Sequence, residues 1–408
     1  VVEALKEGGR GGTRRTSGGQ SVLLIVQAAL SVVLLVGAGL FVRSLGKVNS
    51  LDLGLEPDGL ILATMELDGD WEPEAVLALG QRGLDRIEPL PGVLSASLSS
   101  GIPFWSMSAF EFFVPELDSI PAPRGMGPFV TASSPGHLST LGIQLKEGRL
   151  FTEQEASAGA RVAVVTENMA RGLWGSESAI GRCFMVQDRE SSCWEVIGIV
   201  EDSRLSGVTE DEPWQYFIPF GDPSLELGMD YRAMFVRTSG DPREFLASIR
   251  HELRNLDPSV RFAHVRLHRD LIDPEIRAWK LGATMFTLFG VLALLVAMVG
   301  LYSVMAFNVA RRTRELGVRS AMGASRGRLL GMVLRQAIGV TGVGVAMGTG
   351  AALMASNSLG PLLFDTSPRD PLVLGGVAIS LLAISLLASA LPAWTAARTD
   401  PMGALRTE

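Results

Sequence analysis

Four long apolar stretches without any Asp, Glu, Lys, Arg or His constrain the fold of this chain more than any other feature. They are Ser21–Val42, Thr284–Phe307, Ala337–Ala355 and Leu372–Leu391. At about 1.5 Å per residue, roughly 20 helical residues cross a hydrocarbon core of about 30 Å. Buried helices of soluble enzymes rarely run that far without a charge, and the mean hydropathy of +0.28 is high for a soluble protein. The sequence therefore predicts four transmembrane helices.

The first apolar stretch differs from a cleaved signal peptide. It is too long, it follows twenty largely polar residues, and Arg43 and Lys47 stand behind it where a small-residue cleavage site would lie. We therefore predict that it is retained as a span.

The charges of the remaining segments predict the sidedness of the spans. Residues 1–20, 308–336 and 392–408 together hold 13 Lys or Arg and 5 Asp or Glu, whereas residues 44–277 hold 20 and 36. Because four spans place successive segments on alternate sides, the three basic segments share one side. The positive-inside rule, applied to these short segments, makes that side the cytoplasm. Both termini are then cytoplasmic and the large acidic segment lies outside.

The predicted fold class is a membrane protein with four α-helical transmembrane spans and a large mixed α/β extracytoplasmic domain inserted between spans 1 and 2. The predicted segments are a cytoplasmic linker or tail (1–20), span 1 (21–43), the outer domain (44–277), span 2 (278–308), a cytoplasmic segment (309–336), span 3 (337–355), a short extracytoplasmic turn (356–371), span 4 (372–392) and a cytoplasmic tail (393–408).

Patterns within the outer segment indicate strands that alternate with helices, as in βαβ units. The β-branched run Val162–Val165 precedes a helical pattern for which Thr166 is a suitable N-cap. Two further runs flank the polar turn Asp188–Ser192 and predict a hairpin.

The chain has two cysteines, Cys183 and Cys193, and they flank this turn. In an oxidising compartment a disulfide that closes about ten residues would contribute roughly 2–3 kcal/mol. The alternative is a pair of unpaired buried thiols.

Signals of catalysis or cofactor binding are weak. The sequence GASRG around Ser325 matches a nucleophile elbow, but it lies among arginines on the predicted cytoplasmic side, away from every histidine. His264 and His268 have a spacing that can share a metal, yet the alternating pattern around them favours polar strand residues. No P-loop sequence occurs, and the four apolar stretches carry no ionisable residue. We therefore expect no catalytic residue, no metal, no directly bound cofactor and no nucleic-acid partner.

The third span is rich in glycine. Gly344 and Gly348 are four residues apart, as are Ala346 and Gly350. Small residues at this spacing allow helices to approach closely, so the span has either a tight, movable packing seam or ordinary glycines of a membrane helix.

The segment "RRTRELGVRSAMGASRGRLLGMVLRQA" resembles the cytoplasmic segment of FtsX-like permeases, the membrane subunits of MacB-type (type VII) ABC transporters. The matching residues are Arg314, Glu315, Leu316, Gly317, Val318, Arg319, Ala321, Met322, Gly323 and Ala324. Ser320 departs from the pattern, since Arg or Lys is commoner there. Further resemblance lies in "GHLSTLGIQLKEGRLFT", "VAVVTENMARGLW", "VIGIVEDSR" and "LPAWTAARTDPMGALR".

This resemblance implies a bacterial inner-membrane permease whose outer domain is periplasmic. The basic segment would be a coupling helix that lies on a separate cytoplasmic ABC ATPase, so ATP would act only through that partner. The resemblance also implies a second permease unit and a periplasmic partner, in addition to the lipid bilayer. The implied function is mechanotransmission, with export or extraction of a substrate. The alternative is a non-transporting sensor or scaffold that regulates an extracytoplasmic partner.

The two ends of the chain resemble each other. "VVEALKEG" at the start is similar to "PMGALRTE" at the finish, and the Gly-rich stretch "GGRGGTRRTSGGQ" has the composition of a flexible linker. These features resemble the duplicated orphan permease group, in which one chain holds two such units. We therefore expect this chain to be a C-terminal half.

Overall fold

The structure, a computed structural model, describes residues 12–397 except 116, 118–119, 121–127, 206, 210–213, 230–231, 312–314, 316–317, 320–321 and 323–324. The chain divides into two compact units. One consists of Val1–Ser50 and Arg277–Glu408, and the other is Leu51–Ile276. The similar terminal sequences predicted to mark a duplication lie in residues 1–11 and 398–408, outside the described residues.

In chain order the elements are α1 (Gly12–Asn49), β1 (Leu60–Leu67), α2 (Pro73–Ile87), β2 (Val93–Ser99), β3 (Ser108–Ala109), β4 (Phe112–Phe113), β5 (Phe129–Ser133), α3 (His137–Leu141), β6 (Leu145–Gly148), α4 (Glu153–Ser157), β7 (Val162–Thr166), α5 (Glu167–Trp174), β8 (Cys183–Val186), β9 (Trp194–Val200), β10 (Gln215–Pro219), α6 (Asp222–Leu225), β11 (Ala233–Thr238), α7 (Leu246–Arg254), β12 (Val260–Leu267), α8 (Arg269–Arg311), α9 (Arg326–Leu359) and α10 (Pro371–Ala397). Short 3₁₀ helices precede α7 (Pro242–Phe245) and follow α9 (Gly360–Leu362).

Within the part of the chain that the structure describes, four helices are long and apolar enough to cross a membrane. These candidate spans are Gly19–Asn49, Arg269–Arg311, Gly327–Ser356 and Pro371–Trp394. Each helix is longer than the apolar stretch that marks it, because hydropathy detects the membrane-embedded part while backbone hydrogen bonding continues into polar residues. Helix α1 thus ends at Asn49, beyond Val42, and the outer unit begins at Leu51 where the charge pattern suggested residue 44.

The outer unit is built on one twisted sheet of the twelve strands that the structure describes. The strand order is β12-β1-β11-β2-β5-β10-β7-β9-β8-β4, with β3 paired to β5 and β6 paired to β9. Successive residues of the central strands are buried on opposite faces. Tyr216 and Ile218 of β10 join one apolar core, and Phe217 between them joins the other. The sheet therefore has a core on each face.

The sheet is mixed, with more antiparallel than parallel pairs among its described strands. Of these pairs, only β5 with β10 and β7 with β9 run parallel. The prediction of alternating βαβ units is therefore correct for the β7–α5–β9 region and wrong as a description of the whole domain. Several connections are hairpins or long returns, and these bring neighbouring strands into the sheet in opposite directions.

The predicted hairpin forms between β8 and β9, with Phe184 opposite Trp194. Thr166 occupies the N-cap position of α5, but its side chain bonds to the backbone of Gln215 instead of capping the helix. This position at the end of a central strand places the hydroxyl beside β10, where it satisfies buried backbone groups.

Candidate functional site

Part of the predicted coupling segment lies within the described residues. Glu315, Val318 and Arg319 are helical, and Met322 follows in a turn whose backbone N–H donates to the Val318 carbonyl at 3.0 Å. Arg314, Leu316, Gly317, Ala321, Gly323 and Ala324 lie outside the described residues.

Charge and apolar surface alternate along the described positions. Arg319 Nη2 donates to Glu315 Oε1 at 2.6 Å, one helical turn away. Two apolar side chains between polar residues are exposed, Val318 at 41% and Met322 at 82%. Val318 and Met322 are therefore accessible to another protein at these positions.

Gly344 and Gly348 of the third span pack directly against the first span. A Cβ on Gly344 would lie 2.5 Å from the Cβ of Ala28, and a Cβ on Gly348 would lie 2.6 Å from the carbonyl oxygen of Ala29. Only glycine permits this approach of α9 to α1 without moving a backbone.

Ala346 and Gly350 do not belong to this contact. Ala346 is exposed, and a Cβ on Gly350 would meet no atom within 4 Å. The two pairs are offset by two residues, which is about 200° around a helix of 3.6 residues per turn. The two pairs of the sequence pattern therefore lie on opposite faces of α9, and the Gly344–Gly348 pair is the one that packs against α1.

The second span packs on the first through aromatic rings and glycines. Phe41 and Phe286 stack with ring centroids 5.2 Å apart. A Cβ on Gly37 would lie 2.6 Å from Phe286, and one on Gly282 would lie 2.5 Å from Phe41. Each ring therefore sits over a glycine of the facing helix.

Two basic residues of α1 form ion pairs with the segment between α9 and α10. Arg43 Nη1 lies 2.6 Å from Asp370 Oδ2, and Lys47 Nζ lies 2.8 Å from Asp365 Oδ2. Asp370 also accepts hydrogen bonds from the backbone N–H groups of Leu372 and Val373, so it holds the start of α10 as well.

We call the group formed by Arg43, Ser44, Lys47, Asp365 and Asp370 the clasp. Hydrogen bonds to backbone groups add to its ion pairs. Ser44 Oγ accepts the N–H of Phe364 at 2.8 Å. Trp279 of α8 donates its indole N–H to the Leu362 carbonyl at 3.1 Å, and its ring meets Phe364 edge to face. The loop between α9 and α10 is thereby bound to both α1 and α8.

Sequence reasoning missed the clasp, although a signal was present. Arg43 and Lys47 are one helical turn apart at the end of the span that the charge rule assigns to the outside, where positive residues are disfavoured. Both aspartates of the segment 356–371 are their partners. Two basic residues on the predicted outer side, where the charge rule disfavours them, together with two aspartates in a loop on that side, could have predicted the clasp.

The outer unit joins its first and last strands side by side. β1 and β12 pair in antiparallel register, with Ile61 opposite Leu267. His268 follows β12, donates its backbone N–H to the Leu60 carbonyl at 2.9 Å, and is followed at once by α8. The segment that leads into β1 is therefore bound to the one that leads out of β12.

Arg237 and Arg269 hold the segment before β1 in place. The guanidinium of Arg237 donates to the carbonyl oxygens of Thr140 at 2.7 Å, Asp58 at 3.1 Å and Glu56 at 2.9 Å. The Asp58 carboxylate pairs with Arg269 at the start of α8. Both chain connections of the outer unit are thus tied to each other by an ion pair.

His137 and His268 are both buried, and both imidazole rings lie against Phe235. The ring centroids lie 5.3 Å and 5.7 Å from that of Phe235. Burial, and then the neighbouring His268, lowers the pKa of His137 to about 3, and its Nδ1 lies 2.9 Å from Ser97 Oγ. Burial is the largest cause that lowers the pKa of His268 to about 4, with Arg266 and Arg237 adding to it, although the nearby Pro103 carbonyl acts in the opposite direction.

These positions correct the prediction for the histidine pair. His264 lies on β12 and is exposed, as expected for a polar strand residue, whereas His268 lies beyond the strand and is buried. His268 therefore belongs with His137 in the core rather than with His264. Among the described residues, no group of three or more His, Cys, Asp or Glu side chains is placed to hold a metal ion.

The structure joins Cys183 to Cys193 by a disulfide, with the Cα atoms 5.7 Å apart. Cys183 begins β8, and Cys193 immediately precedes β9. The bond therefore ties the two strands of the hairpin to each other covalently, in addition to their backbone hydrogen bonds.

The sequence matches two family models that together cover most of the chain. The model described as MacB-like periplasmic core domain matches residues 21–252, and the one described as FtsX-like permease C-terminal matches residues 287–401. The chain belongs to this permease family. It is thus an ABC transporter permease, a multi-pass membrane protein whose outer unit is an extracytoplasmic domain of the MacB-like type.

The relatives of this permease include exporters and a permease of unknown role. It is 28% identical over 290 residues to "Uncharacterized ABC transporter permease YknZ" of Bacillus subtilis (strain 168), covering 68% of this chain and 70% of that protein. It is 27% identical over 273 residues to "Pyoverdine export ATP-binding/permease protein PvdT" of Pseudomonas syringae pv. syringae, covering 64% of this chain. The permease spans 40% of the length of PvdT.

Among the solved structures that match part of this chain is one of low similarity. It is the periplasmic region of MacB from Actinobacillus actinomycetemcomitans, with 14% identity and a TM-score of 0.37 over 53% of this chain and 92% of that one.

Proposed function

We propose that this permease transmits ATP-driven motion from a separate cytoplasmic ABC ATPase to its extracytoplasmic domain, for the export or extraction of a substrate. Its termini and the coupling segment (309–336) lie in the cytoplasm. The observation that carries the proposal is the direct passage from β12 through His268 into α8, beside the strand to which α1 leads.

The start of α8 lies directly after β12, with only His268 between them, so a movement of α8 acts on that strand without an intervening linker. Residues 56–58 are held by Arg237, and Asp58 is paired with Arg269. Because β1 and β12 share a ladder of backbone hydrogen bonds, a displacement of either connection acts on both strands together. A paired and tethered entry of this kind transmits force better than two separate linkers would.

The described part of the coupling segment supplies a surface for the ATPase. Met322 is the most exposed apolar side chain described there, and it follows the Glu315–Arg319 ion pair in the chain. Burying a methionine side chain in an interface is worth about 1.5–3 kcal/mol. Since 1.4 kcal/mol is about tenfold in affinity, loss of this contact should weaken binding by roughly 10- to 100-fold.

The test uses the chain in lipid nanodiscs with the ATPase that co-purifies with it in mild detergent. Met322→Gln should weaken the binding of that ATPase and reduce its stimulation by the permease. Met354→Gln is the matched control, because Met354 is 80% exposed on α9 but lies outside the coupling segment. The control should bind as the unmodified chain does.

Two results would refute the proposal. If no ATPase co-purifies with the chain, the sensor or scaffold alternative is favoured. If Met322→Gln and Met354→Gln bind the ATPase equally well, the segment is a membrane anchor and does not couple.

A further inference from the structure

A small cavity lies where the four membrane helices converge. It has a volume of about 20 Å³, which is room for one water molecule. Every helix contributes to its lining, among others through Gln27 of α1, Met298 of α8, Thr341 of α9 and Ser385 of α10. The cavity lies wholly within the membrane unit.

Gln27 brings an unsatisfied amide group to this cavity. Its Nε2 atom is buried and has no hydrogen-bond partner among the residues that the structure describes. Its Oε1 atom lies against Gly300, where a Cβ would come within 3.0 Å of it. Ser31 bonds to the backbone carbonyl of Gln27 and leaves the side chain unpaired. An amide donor without a partner in an apolar environment costs roughly 2–7 kcal/mol.

Thr341 and Ser385 bring a pair of hydroxyl groups to the same cavity. Their oxygens are 2.8 Å apart, and both residues are buried. One hydroxyl donates to the other, which leaves one O–H donor and several lone pairs of the pair unused. The cavity therefore has an amide donor from α1 and hydroxyl groups from α9 and α10.

We propose that Gln27, Thr341 and Ser385 bind a single water molecule in this cavity. The water accepts the N–H of Gln27 and exchanges hydrogen bonds with the hydroxyl pair, so it has the two to four polar partners that buried waters need. It links the Gln27 amide of α1 to the hydroxyl groups of α9 and α10 through hydrogen bonds. This site does not depend on the function proposed above.

A water bridge has a mechanical consequence at this position. When α1 shifts relative to α9 and α10, a water can reorient and keep its hydrogen bonds, whereas a direct amide–hydroxyl bond would break. The water therefore lets the helices move while the Gln27 amide keeps a hydrogen-bond partner in the membrane.

The site can be tested by radiolytic hydroxyl labelling of the full chain in lipid nanodiscs, in which a bound water promotes oxidation of adjacent side chains. Met298 lines the cavity, and Met305 is a buried methionine of the same helix outside it. We expect Met298 to be oxidised faster than Met305. In Gln27→Leu, and also in Thr341→Val, the Met298 rate should fall towards that of Met305.

Equal rates for the two methionines in the unmodified chain would overturn the proposal. So would a Met298 rate that survives both substitutions. If Gln27→Leu raises the Met305 rate, the packing of that variant has changed. The isosteric Thr341→Val is then the deciding variant: a fall of its Met298 rate supports the water site, and an unchanged Met298 rate overturns it.

Discussion

The outer domain and the membrane unit are stabilised by different kinds of contact. In the outer domain a continuous sheet lies between two apolar cores, with side chains such as Trp194 and Phe235 almost fully buried. In the membrane unit the helices meet through glycines and a few polar contacts, and α8 exposes many of its apolar side chains. Burial from water stabilises the first, whereas close packing without a hydrophobic driving force stabilises the second.

This difference between the two units fits the transmission of motion that we propose. Densely packed cores resist deformation, so the outer domain can move as a body. Helices that meet at small residues can slide by small amounts, so the membrane unit can change shape. The comparison predicts that the two regions respond to different perturbations.

Acidification should have the largest effect, and only on the outer domain. The folded pKa values of His137 and His268, about 3 and about 4, lie below the ordinary value of 6.5. Below pH 6.5 the unfolded chain therefore binds more protons than the folded one, and stability falls as the pH falls. For two such groups the free energy of opening should drop by about 3 kcal/mol between pH 7.5 and 5.5.

Hydrogen exchange of β11 and α3, followed against pH in nanodiscs, measures this change. His268→Phe should remove about half of the pH dependence, because one of the two buried imidazoles no longer takes up a proton. The quantity compared is the protection factor, from which the pH dependence of intrinsic amide exchange has been removed. The protection factors of α9 serve as the internal control and should stay constant. Protection factors of β11 that do not change with pH would contradict the assignment of both histidines to the core.

Substitution of Gly348 in α9 should have the next largest effect, and only on the membrane unit. Gly348→Ala forces a methyl group to within 2.6 Å of the Ala29 carbonyl oxygen, so α1 and α9 must separate. Overpacking of this kind costs typically 1–3 kcal/mol. Gly350→Ala on the same helix meets no atom within 4 Å and is the matched control.

Thermal unfolding in nanodiscs, read by the far-UV circular dichroism of the helices, distinguishes the two variants. Gly348→Ala should lower the melting temperature, and Gly350→Ala should leave it unchanged or raise it through a better helix propensity. Equal melting temperatures would show that α1 and α9 are not in close contact.

More of the architecture than of the candidate site could be predicted from the sequence. Four charge-free stretches indicate the spans because a membrane excludes charge from about 20 successive residues, and alternation around Asp188–Ser192 indicates a hairpin. Such signals are local. Which of Gly344 and Gly350 faces α1, and whether His268 joins His264 or His137, depends on neighbours distant in sequence. The clasp likewise joins residues more than 300 positions apart.

The ion pairs of the clasp should have the smallest effect. Asp370→Asn keeps the oxygen that accepts the Leu372 N–H and removes only the charge that faces Arg43. Partly exposed ion pairs contribute about 0.2–1 kcal/mol, so a small drop in melting temperature is expected, and it should shrink at high salt.

The melting temperature of Asp365→Asn should be compared with that of Asp370→Asn. The Asp365 side chain is 76% exposed, against 10% for Asp370, so its loss should matter less. If Asp365→Asn lowers the melting temperature more than Asp370→Asn does, burial does not set the strength of these two ion pairs.

The central claim is that motion from the coupling segment reaches the outer domain through β1 and β12. Hydrogen exchange of the permease–ATPase complex in nanodiscs, with and without a non-hydrolysable ATP analogue, tests it most directly. We expect an ATP-dependent change of exchange in β1 and β12 that Met322→Gln abolishes and Met354→Gln preserves. An ATP-dependent change that persists in Met322→Gln, or no change in these two strands, would contradict the claim.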